Sequence, residues 1–189
     1  MLAFSYLSGL TSVVLALGIA RLLTGLGRMF QMRGKVSLYW VHLVWAVNLF
    51  LYIVLIWWIL YRWEAWTEWS YFLFLFLLAS PIVTFLQAVL LFPDPTEEGT
   101  NFKRHFLNNR RAFFVLGAML PLLDVMDTGL KGWNHLAAQG WIYPLTIALT
   151  FVLNLVAART ERELFHKFYA VFLLVYLMAF ITINLRVLT

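Results

Sequence analysis

"AFFVLGAMLPLLDVMDTGLK", residues 112–131, decides how many times this chain crosses a membrane. Its uninterrupted apolar run ends at Leu123, well short of the roughly 20 residues that a hydrocarbon core requires of a helix. Pro121 interrupts it, and two carboxylates, Asp124 and Asp127, follow. Short runs of this kind are often re-entrant or buried pieces rather than spans. If the segment does not cross, everything after it inverts, and "ARTERELFHK" at 158–167 changes sides. The charge bias between the two sides would then weaken sharply. The segment is therefore read as crossing, with its helix running through both aspartates.

The rest of the sequence sets the solvent. Hydrophobic residues make up 63% of the 189 and charged residues 12%, with a mean hydropathy of +0.83. A soluble domain is about half apolar and about a quarter charged, so water is not this chain's only solvent. The isoelectric point near 9.7 comes from short basic clusters between apolar runs, the pattern of membrane-protein loops rather than of nucleic-acid binding. With no cysteine, disulfides, thiol catalysis and thiolate metal sites are excluded. The first apolar stretch carries no Lys or Arg before Arg21 and outruns a signal-peptide core of about 7–15 residues. It is read as a retained membrane helix.

Six spans follow: Leu2–Leu23, Leu38–Tyr61, Tyr71–Phe92, Ala112–Lys131, Trp141–Ala158 and Phe168–Leu185. Pro93 and Pro95 stop the third, because proline lacks the donor that continues a helix. Pro144 lies in the first turn of the fifth, where it is tolerated. Thr160 and Glu163 have the spacing of a capping box ahead of the sixth. Loops after the odd spans hold ten Lys and Arg: Arg28, Arg33, Lys35, Lys103, Arg104, Arg110, Arg111, Arg159, Arg162 and Lys167. The other side holds three, Arg62, Lys131 and Arg186. By the positive-inside rule the odd loops are cytoplasmic and both termini lie outside. Tryptophans at 57, 58, 63, 66 and 69, with Trp133 and Trp141, read as an aromatic belt at the outer headgroups, the sharper alternative being a Trp-lined ligand cage. In the long loop "FPDPTEEGTNFKRHFLNNRR", Phe102 and Phe106 stand one turn apart among basic residues. The loop is either a short helix on anionic lipid or a solvated basic connection.

Polar groups inside spans are costly and usually face the bundle interior. Here they are Arg21, His42, Asn48, Gln87, Asp124, Asp127, Asn154 and Asn184. On the first helix Ser8, Ser12, Ala16, Ala20 and Thr24 recur every four residues, beside a second stripe of Gly18, Arg21, Gly25 and Arg28. Small residues at this spacing admit another backbone closely, so the helix is expected to pack internally or across an oligomer interface. Arg21 either faces a polar interior or snorkels to the headgroups. Pro121 cannot donate to the carbonyl of Gly117, which leaves a free carbonyl near Asp124. That arrangement fits a cation or proton site in a broken transporter helix. It equally fits a helix leaving the bilayer early, with Asp124 paired to Arg186 or Lys131. Glu163 and His166 form one Glu-x-x-His pair, where a di-metal site needs two, and His42 with His166 is thin support for a bis-His haem. No catalytic, metal or cofactor site is expected.

The halves 1–92 and 112–189 echo each other faintly: "LLTGLGRMF" at 22–30 lies against "VMDTGLKGW" at 125–133, and "VTFLQAVL" at 83–90 against "ITINLRVL" at 181–188. Three helices per half would make this a 3+3 inverted repeat of the kind found in many transporters. "ARLLTGLGRMF" at 20–30 and "YWVHLVWAVNLFLYIVLIWW" at 39–58 resemble small bacterial integral-membrane proteins with no assigned activity. The resemblance covers about the first third of the chain and implies an inner-membrane location and no chemistry. The expectation is a single-domain, all-α membrane protein of six helices, N-out and C-out, with the lipid bilayer and a second copy or a membrane-protein partner around it. Its expected role is passage of a small solute or ion, and the alternative is a non-catalytic accessory subunit of a larger membrane complex.

Overall fold

The computed structural model describes residues 2–94 and 96–184. It is all-helical in its regular elements: α1 (Leu2–Gln31), α2 (Trp40–Leu60), α3 (Tyr71–Leu91), α4 (Phe102–Leu130), α5 (Trp133–Ala138), α6 (Ile142–Arg159) and α7 (Glu163–Asn184). Six of these, all but α5, are long and apolar enough to cross a bilayer. Each also leaves large apolar side chains uncovered, among them Leu17, Val54, Phe72, Leu122, Val152 and Val175. In water such uncovered faces would drive association; in lipid they cost nothing. This is the make-up of a multi-pass membrane protein.

The turns at one end of the bundle carry the basic loops, and this is called the basic end. There the α1–α2 link and the α3–α4 loop are laced together by backbone bonds: Gly99 N to Lys35 O (2.8 Å), Ser37 N to Thr100 O (2.9 Å) and Phe102 N to Ser37 O (3.1 Å). Gly34 and Gly99 hold positive φ in these two turns, at 86° and 81°, a region in which a Cβ is penalised. Ion pairs add to the lacing. Asp94 accepts from Arg28 (2.9 Å) and Arg21 (3.1 Å), Lys35 pairs with Glu98, Arg110 with Glu161, and Lys103 with Glu163. The opposite, tryptophan end gathers Trp63, Trp66 and Trp69.

Packing orders the long helices into an arc. α7 lies on α2, α2 on α3, α3 on α4 and α4 on α6, with α1 behind against α3 and α2. α6 and α7 are consecutive, yet their backbones approach at few points, and so do those of α2 and α4, whose rings meet at the basic end. The concave side of the arc is bounded by α6 and α7, whose backbones stay apart along most of their length. α1 packs most closely on α3, whereas its counterpart α4 packs most closely on α6 and meets α7 through side chains at the basic end.

Four local expectations are revised. α4 begins at Phe102 and not Ala112, because the Asn101 side chain accepts from Arg104 N (3.0 Å) and caps the helix ahead of its basic turns. Phe102 and Phe106 consequently point into the core, 0% and 3% exposed, and form neither a lipid-surface helix nor a solvated loop. At α7, Thr160 Oγ1 accepts from Arg162 N (3.2 Å) while Glu163 turns to Lys103 and Lys167, so no reciprocal capping box forms. On α1 the buried line is Thr11, Leu15, Gly18, Leu22, Gly25 and Met29. Gly18 lies against Ile53 and Phe85, and Gly25 against the Phe92 ring. Ala16, Ala20 and Thr24 face outward, and Ser8 and Ser12 are half-buried.

Candidate functional site

The concavity of the arc holds a chamber of ≈ 200 Å³, bounded by α2, α4, α6 and α7 with Gln87 of α3 at its deep end. At 1.5 Å per residue, its wall along α4, from Phe113 to Lys131, covers most of the bilayer's apolar thickness. It has a polar floor toward the basic end, an apolar middle and a charged mouth at the tryptophan end.

The floor is made by Trp45, Asn48, Gln87, Asn154 and Tyr169. Three carboxamides meet there, and each is anchored through its nitrogen to a main-chain carbonyl. Asn48 Nδ2 donates to Ala170 O (2.9 Å), Gln87 Nε2 to Phe113 O (3.1 Å) and Asn154 Nδ2 to Thr150 O (2.9 Å). Because a carbonyl only accepts, these bonds fix which end of each amide is nitrogen. Gly117 makes room for them: a Cβ there would lie 2.5 Å from Asn154 Oδ1 and 3.2 Å from Gln87 Nε2. Asn48 Oδ1, Gln87 Oε1, Trp45 Nε1 and Tyr169 Oη are buried in the floor without a hydrogen-bond partner among the described residues. A buried polar atom left so costs about 1–3 kcal/mol, and four of them gather around this one cavity.

Below the floor the basic end is filled with rings. Trp45 packs edge-on against Phe113, Phe114 and Tyr169 (5.0–5.5 Å between centroids). Phe106 and Phe114 in turn enclose His166. His42 is wedged against Phe92 and Phe102. His42 and His166 are both fully buried, and each donates Nε2–H to a carbonyl, of Leu91 (2.7 Å) and Thr160 (3.0 Å). In this packing the chamber is closed toward the basic end.

The mouth holds the two aspartates in different roles. Asp127 Oδ1 accepts from Trp63 Nε1 (2.8 Å), and its Oδ2 pairs with Lys131 Nζ (2.5 Å). Lys131 also lies 4.9 Å over the Trp63 ring. Asp124 Oδ2 is 3.0 Å from Tyr143 Oη, which is 2.9 Å from Thr128 Oγ1. The single phenol proton serves the carboxylate, leaving the Thr128 hydroxyl to donate to the phenol oxygen. Lys131 therefore pairs with Asp127 and not with Asp124. Arg186 and the side chains of Asn184 and Trp133 lie outside what is described. Arg62, His135 and Gln139 complete the rim. Burial first, then the nearby Lys131 and Arg62 charges, holds the His135 imidazole below its ordinary range.

Of the polar residues singled out in the sequence, Asn48, Gln87, Asp124, Asp127 and Asn154 line the chamber. Arg21 does not. It donates to Asp94 and to the Phe92 carbonyl (3.0 Å) at the basic end. His42 belongs to the ring-filled layer. The tryptophans divide: Trp57 and Trp141 are exposed as belt residues are, whereas Trp63 is buried on Asp127. The sequence reading missed Trp45, Tyr52, Tyr143, Tyr169 and Tyr176 as chamber residues, because an aromatic in an apolar span carries no signal of its own. A usable signal was their polar tips, which need partners inside a membrane. No protein-family model, curated protein or solved structure matches the chain.

Proposed function

We propose that the chain is a bacterial inner-membrane protein, with both termini outside, that takes a small molecule into the chamber from the outer side and passes it across. The observation that carries this reading is the polar floor deep in an apolar bundle. Polar side chains in lipid-embedded helices are expensive and cluster where something other than lipid is handled. Asp124 stands at the entrance to that floor as the candidate proton or cation group, while Asp127 with Lys131 and Trp63 keeps the mouth in shape. The layer of rings under the floor is the barrier that passage must open.

Because the protein contains no cysteine, single cysteines test this directly. In right-side-out vesicles, a membrane-impermeant maleimide should label Thr150→Cys in the chamber wall and spare Val152→Cys on the uncovered face of α6. A Thr150→Cys protein as inert as Val152→Cys, with Gln139→Cys at the rim still reactive, would remove the chamber and with it this function. The outward small-residue face of α1 favours a second reading, an accessory subunit whose α1 packs on a partner helix. A stable partner co-purifying in mild detergent supports that reading.

A further inference from the structure

The floor specifies its ligand more narrowly than "small and polar", and the arc specifies the route; both conclusions rest on the chamber being the functional site. We infer that the chamber binds a neutral, hydroxyl-bearing amphiphile that arrives from within the bilayer, head to the floor and apolar body out between α6 and α7.

Charge comes first. The floor residues Trp45, Asn48, Gln87, Asn154 and Tyr169 include no acid and no base. A charged ligand group would lack a counter-ion in a low-dielectric site, so charged heads of either sign are disfavoured there. The available hydrogen-bond valences come next. Every floor carboxamide has its nitrogen committed to a main-chain carbonyl, and the oxygens of Asn48 and Gln87 are left over. Leftover carboxamide oxygens need a donor. Trp45 Nε1–H needs an acceptor, and the Tyr169 phenol serves as either. A hydroxyl group supplies donor and acceptor at once. An ester or ketone supplies acceptors only and leaves Asn48 and Gln87 unsatisfied. These atoms are buried behind the chamber surface, so the floor side chains must turn toward the head for it to engage them.

The route follows from the packing. A ligand from water would enter at the mouth, past Arg62, Asp124, Asp127 and Lys131. Above the floor, however, the chamber is walled by Leu49, Ile56, Ile147, Leu173 and Leu177. It ends on the side where the backbones of α6 and α7 stay apart, facing the hydrocarbon. An apolar body lies along that wall and out through that side without leaving lipid-like surroundings.

The test uses Thr150→Cys protein in nanodiscs, with maleimide labelling as the readout of occupancy. The probe is 1-monooleoylglycerol. Methyl oleate has the same tail and no donor, oleate carries a charged head, and glycerol has no tail. Protection by 1-monooleoylglycerol at a concentration at least ten-fold below that needed for any of the other three is expected. Gln87→Leu should abolish that protection. Leu173→Trp, which fills the α6–α7 side one turn beyond Tyr169, should weaken it at least ten-fold. Equal protection by methyl oleate overturns the hydroxyl requirement, and equal protection by glycerol overturns the bilayer route, while in both cases the chamber stands. Disulfide cross-linking of Val152→Cys to Val175→Cys between two copies, with no protection by any probe, also overturns the inference, since a second copy then closes the side. Direct binding of radiolabelled 1-monooleoylglycerol decides the case if Thr150→Cys fails to fold.

Discussion

At the scale of single residues, the two aspartates that sequence depth ranks one way are ranked the other way by their partners. Asp124 is the deeper along α4, yet its contact is a phenol that donates equally well to a carboxamide oxygen. Asp124→Asn should therefore change thermal stability in detergent by under about 1 kcal/mol. Asp127 holds both Lys131 and Trp63 on side chains that are 22% and 13% exposed for the ion pair. Removing its charge strands a largely desolvated ammonium. A loss of about 1–3 kcal/mol is expected for Asp127→Asn, below the full cost of a buried pair because water still reaches it. Equal melting temperatures for the two variants would refute this ranking. Asp94, at the basic end, is an exposed group and its effect is read through pH. The Arg28 hydrogen bond, then the Arg21 charge, holds its carboxyl below the usual 3.8. A carboxyl depressed in the folded state contributes stability above its unfolded pKa and loses it as pH falls through the folded value. The melting-temperature gap between wild type and Asp94→Asn should thus be constant from pH 7 to about 5 and close below pH 4. A gap that widens on acidification contradicts the sign.

Elements were legible in the sequence where burial is one-sided and illegible where two helices share a surface. Apolar runs, Pro93 and the loop charges marked α2, α3 and α6 to within a few residues. The start of α4 was missed because its first turns are basic on one face and aromatic on the other, and only the partner helices tell which face is inside. The floor was half legible: amides stand out in an apolar span, but their meeting depends on which helices neighbour each other, and no periodicity encodes that. The α1 stripes show the same limit. Spacing alone cannot separate a line of small residues that packs on its own chain from one that faces outward. The structure makes the distinction testable. Gly18→Leu drives a side chain into Ile53 and the Phe85 backbone, where a bare Cβ already comes within 3.1 Å. That variant should lose about 1–3 kcal/mol of stability as overpacking does. Ala16→Leu adds bulk to an outward face and should leave the monomer's melting temperature unchanged. If Ala16→Leu instead lowers the oligomer fraction in detergent sizing, that face belongs to a partner helix.

For the whole molecule, the arc, the chamber and the membrane have to agree on one direction. Every basic loop lies at the end where the chamber is closed by rings, and the mouth lies at the end with the tryptophans. Lys and Arg are retained on the cytoplasmic side during insertion, so in the proposed orientation the chamber would open outward and the rings would guard the cytoplasm. Position of the reporter is what decides it. A periplasm-dependent enzyme fused after Thr189 should be active, and the same enzyme fused at Gly99, in the turn laced to Lys35, should be silent. A third fusion at Gly140, in the link between α5 and α6, checks the crossing of α4 that set the whole reading. It should be active, since Gly140 lies beyond α4 at the tryptophan end. Activity at Gly99 with silence at Thr189 and Gly140 would reverse the direction and leave the chamber opening to the cytoplasm. Silence at both Gly99 and Gly140 would mean that α4 does not cross. The charged mouth, the polar floor and the ring layer would then no longer lie in series across a bilayer, and the proposed passage would have no direction to run in.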